Sequence, residues 1–217
     1  MARAFARRGR GDAARFVAKL DAEERVVVTG LLQQVLDLIM PEEPVLDASV
    51  PIDDFDAIVA GLGRDFGSTP ESPGVGELGG RGLPETPRDP ALDRLFPSGN
   101  RVDAQAAAEF RRLTEGSLRT RKVAALMECI GLLDDVRGDS LELTPDQARI
   151  FLVALTDVRL VVGDRLGLRE DADADALDER ALALAPDDPI VYAIAVYDFL
   201  TWLQETLATA MLPSAGR

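Results

Sequence analysis

Apolar residues recur at helical spacing over most of the 217 residues, and the strongest run lies near the carboxyl end. In residues 188–212, Asp188 is a good N-cap and Pro189 suits the first helical position, where a missing N–H costs nothing. The first half of this run is apolar all round and the second half carries one apolar stripe, which predicts a helix enclosed by its neighbours. We therefore predict that the rest of the chain packs around it, with Trp202 in the core. The stripe consists of Val196, Phe199, Leu200, Leu203, Leu207, Ala210 and Met211.

Two more helices are predicted to begin at capping boxes. In this motif an N-cap side chain and the side chain three residues later each accept a hydrogen bond from the other's backbone N–H. Asp21 is followed by Glu24, and Thr144 is followed by Gln147 with Pro145 at the first helical position. Apolar residues then repeat at helical spacing after both boxes, which predicts an amphipathic helix in each place.

A short extended segment precedes each of these helices, at residues 16–20 and 141–143. The turn-like residues 10–12 lie between two phenylalanines, which predicts a hairpin within residues 1–20. We expect the two extended segments to pair as a small sheet beside this hairpin. The first fifteen residues carry five arginines and one acid, which indicates either a solvated hairpin or a basic arm for nucleic acid or an acidic partner.

The middle of the chain predicts a short helix over residues 89–96 and a long helical stretch from an N-cap at Asp103 to about Val136. Gly116 divides the long stretch, and we expect a kink or a break there. Apolar side chains line both halves and predict a buried face along the whole length. They are Ala107, Phe110 and Leu113 in the first half and Val123, Leu126, Met127, Ile130 and Leu133 in the second.

Two segments are predicted to lack regular structure. Residues 63–90 are rich in Gly and Pro, which favours a flexible linker, and residues 169–187 carry alternating acids, which favours an acidic loop. Together these patterns predict a mainly α fold with one helical domain over residues 1–217. We expect a bundle of about five main helices with a small N-terminal hairpin or sheet.

Composition narrows the classes of function. The formal net charge of −14 argues against non-specific DNA binding, which needs an excess of basic side chains. The chain has no histidine, the commonest general base and metal ligand, and no nucleophile elbow or P-loop, so we predict that it is not an enzyme. One cysteine, no signal peptide and no sufficiently apolar span predict a cytoplasmic protein that does not act at a membrane.

No cofactor or metal site is predicted. The glycine pattern at residues 74–79 fits a dinucleotide motif, but it lies within the linker and not between a strand and a helix. The alternating acids from Asp171 have the spacing of a calcium loop. That loop would need Gly in place of Ala176 and Glu in place of Leu182. Both segments are better interpreted as solvated connections.

Two features remain as candidate sites. A positive cluster on the long central helix is suited either to an acidic partner or phosphates, or to ion pairs with acids on neighbouring helices. Cys129 lies one turn from Leu126 and Leu133, so it is either a small buried hydrophobe or, if exposed with a lowered pKa, a redox-sensitive thiol. The positive cluster comprises Arg111, Arg112, Arg119, Arg121 and Lys122.

Three segments together carry the pattern of a known family. The sequences are Asp89-Pro-Ala-Leu with Ala108-Glu-Phe-Arg-Arg-Leu-Thr-Glu, Leu155-Thr-Asp-Val-Arg-Leu-Val-Val-Gly-Asp-Arg-Leu-Gly, and Tyr197-Asp-Phe-Leu-Thr-Trp-Leu-Gln-Glu. With the N-terminal Phe-Ala-Arg-Arg they resemble the actinobacterial family known as a domain of unknown function, DUF2017. The resemblance covers almost the whole chain outside the linker, and its motifs are structural rather than catalytic.

The resemblance implies a cytoplasmic, mostly helical, non-enzymatic regulator with a protein partner, such as a sigma factor or an RNA polymerase component. Family members are often encoded beside the adaptor of the Clp protease, and some are described as oxidative-stress regulators of transcription with redox-active cysteines. Because Cys129 is the only cysteine, an intrachain disulfide is excluded here. Direct DNA binding through basic residues, a role linked to Clp proteolysis and a homodimer are alternatives left open.

Overall fold

A computed structural model describes residues 2–40, 88–97, 99 and 104–212, without the side chains of residues 12, 104–109, 111, 112, 171 and 178. The helices are α1 (Ala22–Ile39), α2 (Pro90–Leu95), α3 (Ala104–Asp134), α4 (Pro145–Arg165), α5 (Asp171–Ala183) and α6 (Pro189–Met211). The strands are β1 (Arg3–Arg8), β2 (Arg15–Lys19) and β3 (Ser140–Leu143). The predicted mainly α fold with a small sheet is confirmed.

The first two strands form the predicted hairpin, and β3 joins it from the middle of the chain. Both pairs are antiparallel and the strand order is β1-β2-β3. A 3-10 turn (Gly11–Ala13) connects β1 to β2. Gly9 enters this turn with a φ of 77°, and a Cβ there would lie 2.8 Å from the carbonyl oxygen of Ala13, so a larger residue would be strained. The predicted pairing of the two extended segments is therefore confirmed as well.

Local capping decides where the main helices begin. Asp21 accepts a hydrogen bond from the Glu24 N–H at 3.0 Å, and Glu24 accepts one from the Asp21 N–H at 2.8 Å. Thr144 and Gln147 repeat this exchange at 3.3 and 2.9 Å at the start of α4. Asp188 caps α6. All three predicted helix starts are confirmed. They could be predicted because each depends only on residues a few positions apart.

Helix α4, and not α6, lies at the centre of the fold. Packed against it are α1, α2, α3, α6 and the strands β2 and β3. Phe151 and Leu155 of α4 are fully buried. The Phe151 ring meets the Phe5 ring of β1 edge-on, with 6.2 Å between the ring centroids. The prediction that residues 188–212 form the central element is therefore wrong.

The first half of α6 explains this error, since it is not enclosed. Tyr192 is 44% exposed and Ala195 is also exposed, although Ala193 is buried. Hydropathy reports how apolar a helix is but not how many neighbours it has. Trp202 is half-buried and stacks on Phe199 with 6.0 Å between the rings, so it lies at the edge of the core. The residues of the predicted stripe that are buried are Val196, Leu200, Leu203 and Leu207.

Helix α3 runs without a break through Gly116. It packs against α1 and α4, and Leu126 and Leu133 are buried there. The prediction of a buried face along its whole length is wrong, because Leu113 is 67% exposed and Met127 is 59% exposed.

Helix α5 occupies residues 171–183, where an acidic loop was predicted. Asp173 accepts hydrogen bonds from the backbone N–H groups of Arg169 and Glu170, both at 2.7 Å, and these bonds lower its pKa. Acids in a first helical turn are stabilised by the helix dipole, and the alanines between them favour a helix. None of the described residues of α5 is buried, and Leu182 is 89% exposed. The segment is solvated as expected, but it is helical.

The predicted linker over residues 63–90 lies outside the described residues except for its last three. There Asp89 already caps α2 and Pro90 begins that helix, as the predicted short helix requires. The N-cap predicted at Asp103 also lies outside the described residues. Over the described part of the chain, no helix is both long and apolar enough to cross a membrane.

Candidate interaction surfaces

The predicted positive cluster on α3 does not form one exposed patch. Arg121 is exposed, whereas Arg119 and Lys122 form ion pairs with acids of α3 and α4. The side chains of Arg111 and Arg112 lie outside the described residues. The cluster is thus divided between solvent and the interior, and its role in partner binding stays a prediction.

Arg119 connects three helices. Its guanidinium lies over the ring of Phe96, just after α2, with 4.9 Å from Cζ to the ring centroid. It donates to the Glu115 carboxylate at 2.8 Å and to the carbonyl oxygen of Ile39 at the end of α1. The side chain is 27% exposed, and both of its terminal nitrogens already donate within the protein.

Glu115 also accepts hydrogen bonds from a second arginine, Arg88. Arg88 donates two N–H groups to it, each at 3.2 Å, and also lies 3.3 Å from Asp93 of α2. Burial raises the pKa of Glu115, but the hydrogen bonds from Arg119 and Arg88 outweigh burial and hold the pKa below its usual range. This carboxylate therefore stays ionised and joins α3 to the segment that leads into α2.

Lys122 is buried against α4. Its Nζ lies 2.5 Å from Oδ1 of Asp157, and the two side chains are 13% and 4% exposed. Burial raises the pKa of Asp157, and the hydrogen bond from Lys122 opposes this rise without cancelling it. The second carboxylate oxygen of Asp157 is buried and has no hydrogen-bond partner among the described residues. While α3 and α4 stay packed, the ammonium group of Lys122 is directed inward and not toward a partner.

Cys129 is completely buried in the core. Burial, with a smaller contribution from Glu128, raises the pKa of its thiol to about 12. At neutral pH the sulfur is protonated, so the thiolate that reacts with oxidants is scarce. This position agrees with the interpretation as a small buried hydrophobe, and a redox role for Cys129 stays a prediction.

An open groove of about 610 Å³ lies between α1 and the end of α3. Its apolar lining includes Leu133, Ile130 and Val136 from the α3 side, and Val26 of α1, which is 71% exposed. At Gly30 an added Cβ would meet no atom of the described residues within 4 Å, so none of them closes the groove there. The other lining residues are Ala22, Arg25, Thr29, Gln33 and Asp134.

Arg25 lines the groove, and Met127 is an exposed neighbour of the lining residue Ile130. Arg25 is held by the carbonyl oxygens of Leu20 and Gly138, at 2.9 and 2.6 Å, so its charge fixes the loop after α3. Met127 is not part of the lining, but it lies one turn before Ile130 on α3 and its side chain is 59% exposed. An open groove edged by exposed apolar side chains fits contact with another protein better than enclosure of a small molecule. Among the described residues, no group of three Cys, Asp or Glu side chains is placed to hold a metal ion.

The core positions of α1 give no indication of this groove, because they face the other way. The outward positions do carry a pattern that could have been noticed: Ala22, Val26 and Gly30 follow one another at intervals of four. Residues four apart share a helical face, and an exposed face usually carries charged side chains. The small apolar row is therefore the feature that marks the groove in the sequence.

Several known proteins have sequences similar to that of this chain. A Mycobacterium leprae protein, named as a candidate oxidative stress regulator AosR, is 29% identical over 201 residues, which is 91% of this chain and 83% of the relative. The oxidative stress regulators AosR of Mycobacterium tuberculosis and Mycobacterium bovis are each 27% identical over 203 residues, covering 94% of this chain and 85% of each relative. No solved structure matches the chain. The model of a domain of unknown function, DUF2017, matches residues 2–211, and the chain belongs to that family.

Proposed function

We propose that this chain is a non-enzymatic regulator that acts by binding another protein during the response to oxidative stress. The regulatory class is supported by the mycobacterial relatives, whose names describe oxidative stress regulators. As the partner we propose a component of the transcription machinery, such as a sigma factor or an RNA polymerase subunit.

The observation that carries the proposal is the groove between α1 and α3. Val26 in its lining is 71% exposed although it is apolar, and Met127, one turn before the lining residue Ile130, is 59% exposed. Covering such surface is favourable by about 25 cal/mol per Å² of apolar area. An amphipathic helix of a partner could lay its apolar side against Ile130 and approach closely at Gly30, where no side chain intervenes.

The state of Cys129 bears on how an oxidative signal would arrive. It is the only cysteine, it is buried, and its pKa is raised to about 12. We infer that the signal comes through the partner or through the amount of this protein, and not through a disulfide within the chain. Direct DNA binding by the α3 cluster is less well supported, because Arg119 and Lys122 are already paired inside the protein.

Two valine substitutions test the proposed contact. Val26→Asp places a charge in the groove, whereas Val153→Asp places the same charge on an exposed position of α4, where Val153 is 51% exposed. Wild type and both variants would be used to capture partners from an extract of the source organism. Binding of the captured proteins would then be measured by calorimetry with purified sigma factors and polymerase subunits.

We expect wild type and Val153→Asp to retain the same transcription protein and Val26→Asp to lose it, with unchanged unfolding midpoints. Retention by all three would show that the groove is not the interface. Recovery of chaperones alone by the wild type would contradict the function itself. An unchanged transcriptional response to peroxide in a deletion strain would separately contradict the oxidative-stress role.

A further inference from the structure

The outer face of the sheet concentrates positive charge. Residues directly opposite each other in an antiparallel pair point to the same face, and every second residue of a strand does so too. The register pairs Arg3 with Lys19 and Arg8 with Arg15. Arg15 and Lys19 are four residues apart on β2 and share one face, and their partners Arg8 and Arg3 join them there. Arg3 and Arg8 are five residues apart, but the register shifts by a bulge between Arg3 and Ala6, which keeps both on this face.

This basic face, defined by Arg3, Arg8, Arg15 and Lys19, points away from the core. The opposite face carries Phe5 and Phe16, which are 5% and 4% exposed and belong to the core cluster. Val17, which lies between Arg15 and Lys19 on the basic face, is 8% exposed but is not a member of that cluster. The exposed residues of the basic face are Arg3, Arg8 and Lys19, and Arg15 is half-buried.

One acid shares the face among the described strand residues. Glu142 of β3 is opposite Val17 and lies 3.7 Å from Arg15, and the Arg15 and Glu142 side chains are 39% and 59% exposed. It can balance only one of the four positive charges. The chain as a whole has a net charge of −14, so this face is a positively charged region of an acidic protein.

We propose that the basic face binds an acidic segment of another protein. Carboxylates pair well with guanidinium groups, which offer two parallel N–H donors. The Arg3–Lys19 pair and the Arg8–Arg15 pair lie four residues apart along β2, which is about 13 Å. An extended segment with acids about four residues apart reaches both pairs at once.

Nucleic acid fits this face less well. Proteins that bind single strands on a sheet stack the bases on aromatic side chains. Here the aromatic side chains of β1 and β2, Phe5 and Phe16, are buried on the opposite face. A long nucleic acid would also extend past this face, where the acidic remainder of the chain repels its phosphates. A short acidic segment would contact only the basic face.

The basic face shares no residue with the groove between α1 and α3, so the inference does not depend on the function proposed above. It is tested with a short fluorescein-labelled peptide of alternating Glu and Ala, with duplex and single-stranded DNA as competing probes. Binding to the full chain is followed by fluorescence polarisation at low and at moderate salt. The Arg3→Gln/Arg8→Gln variant is compared with Arg121→Gln/Arg137→Gln, which removes two exposed arginines elsewhere and gives the same net charge.

We expect Arg3→Gln/Arg8→Gln to weaken peptide binding by roughly tenfold or more and the control variant to change it by less than about twofold. Equal losses in both variants would show that only net charge matters, and would overturn the proposal. Tighter binding of either DNA than of the peptide at the same salt would also overturn it, as would absence of peptide binding by the wild type. The Val26→Asp variant should bind the peptide normally, so a failure of the groove and a failure of this face are distinguishable.

Discussion

Helix α4 is joined to α3 and to the N-cap of α2 by two ion pairs whose carboxylates are held in different ways. Near the middle of the helix, Asp157 receives one hydrogen bond from Lys122 at 2.5 Å, and its second oxygen has no partner. At the end of the helix, Arg165 donates two N–H groups to Asp89, at 3.0 and 2.5 Å. The Ala91 N–H gives Asp89 a third donor at 2.8 Å.

The pKa values of these two carboxyl groups move in opposite directions. Burial raises the pKa of Asp157, and the single hydrogen bond from Lys122 is too little to reverse the change. Burial also acts to raise the pKa of Asp89, but the hydrogen bonds from Arg165 and from the Ala91 N–H outweigh it, so the pKa is lowered. A counter-charge alone does not settle the preference of a carboxylate for its ionised form, since the depth of burial and the number of donors also count.

The largest loss of stability is expected when the ion pair between Lys122 and Asp157 is broken. Lys122→Met leaves Asp157 buried without its only donor, so we predict that the free energy of unfolding falls by about 3–5 kcal/mol at neutral pH. Urea denaturation measures this change. A loss below about 1 kcal/mol would mean that the pair is hydrated in solution and does not behave as a buried one.

A smaller effect is expected at the other pair. Asp89→Ala removes an N-cap and a partly exposed ion pair, so we predict a loss of about 2 kcal/mol in the free energy of unfolding. Asp93→Ala is the matched control, because it removes an acid of the same helix whose side chain is 62% exposed. We expect the control to lose less than about 0.5 kcal/mol. Equal losses at Asp89 and Asp93 would remove the distinction between them.

The contributions of Asp89 and Asp157 to stability are expected to change in opposite directions with pH. The pKa of Asp89 is lowered by folding, so its contribution is present above the ordinary carboxyl range near about 4 and is lost as the pH falls. The pKa of Asp157 is raised by folding, so its contribution is full at low pH and is lost as the pH rises through the folded-state value.

Acidification should therefore reduce the stability advantage of wild type over Asp89→Asn and should increase it over Asp157→Asn. We expect the two advantages to move in opposite directions between neutral and acid pH. Denaturation midpoints at several pH values measure both. Changes in the same direction would contradict the assignment of opposite pKa shifts.

The smallest effect is expected when both members of the buried pair are replaced. Lys122→Met with Asp157→Leu exchanges two charges for apolar side chains, and such exchanges often leave stability within about 1 kcal/mol or increase it. Recovery relative to Lys122→Met alone would show that the cost of the single variant comes from the stranded carboxylate. A double variant as unstable as the single one would point instead to lost packing.

Features set by neighbouring residues could be predicted from the sequence. Asp21 with Glu24, and Thr144 with Gln147, determine helix starts over three positions, and the hairpin follows from a turn between two phenylalanines. Helix α5 was missed because its acids suggested a solvated loop, although the same acids stabilise a first helical turn.

Features set by packing between distant segments could not be predicted. Lys122 and Asp157 are 35 positions apart, and no spacing rule selects one acid among the 38 in the chain as the partner. The central position of α4 also depends on how many elements surround it, which hydropathy does not report. The groove was overlooked for a related reason: Val26 is an ordinary apolar residue until its lack of neighbours is known.

The sheet and its covering helix join segments of the chain that are synthesised at very different times. The N–H of Phe5 donates to the Thr206 hydroxyl, a contact between residues 201 positions apart, and β2 pairs with a strand that follows roughly 120 positions later. At bacterial translation rates of roughly 5–20 residues per second, about ten seconds or more pass before α6 can cover β1. During that interval the hairpin stands on the ribosome with an unpaired edge. Charged side chains along an edge strand discourage association with other nascent chains, and Arg3 and Arg8 supply them at the two ends of β1.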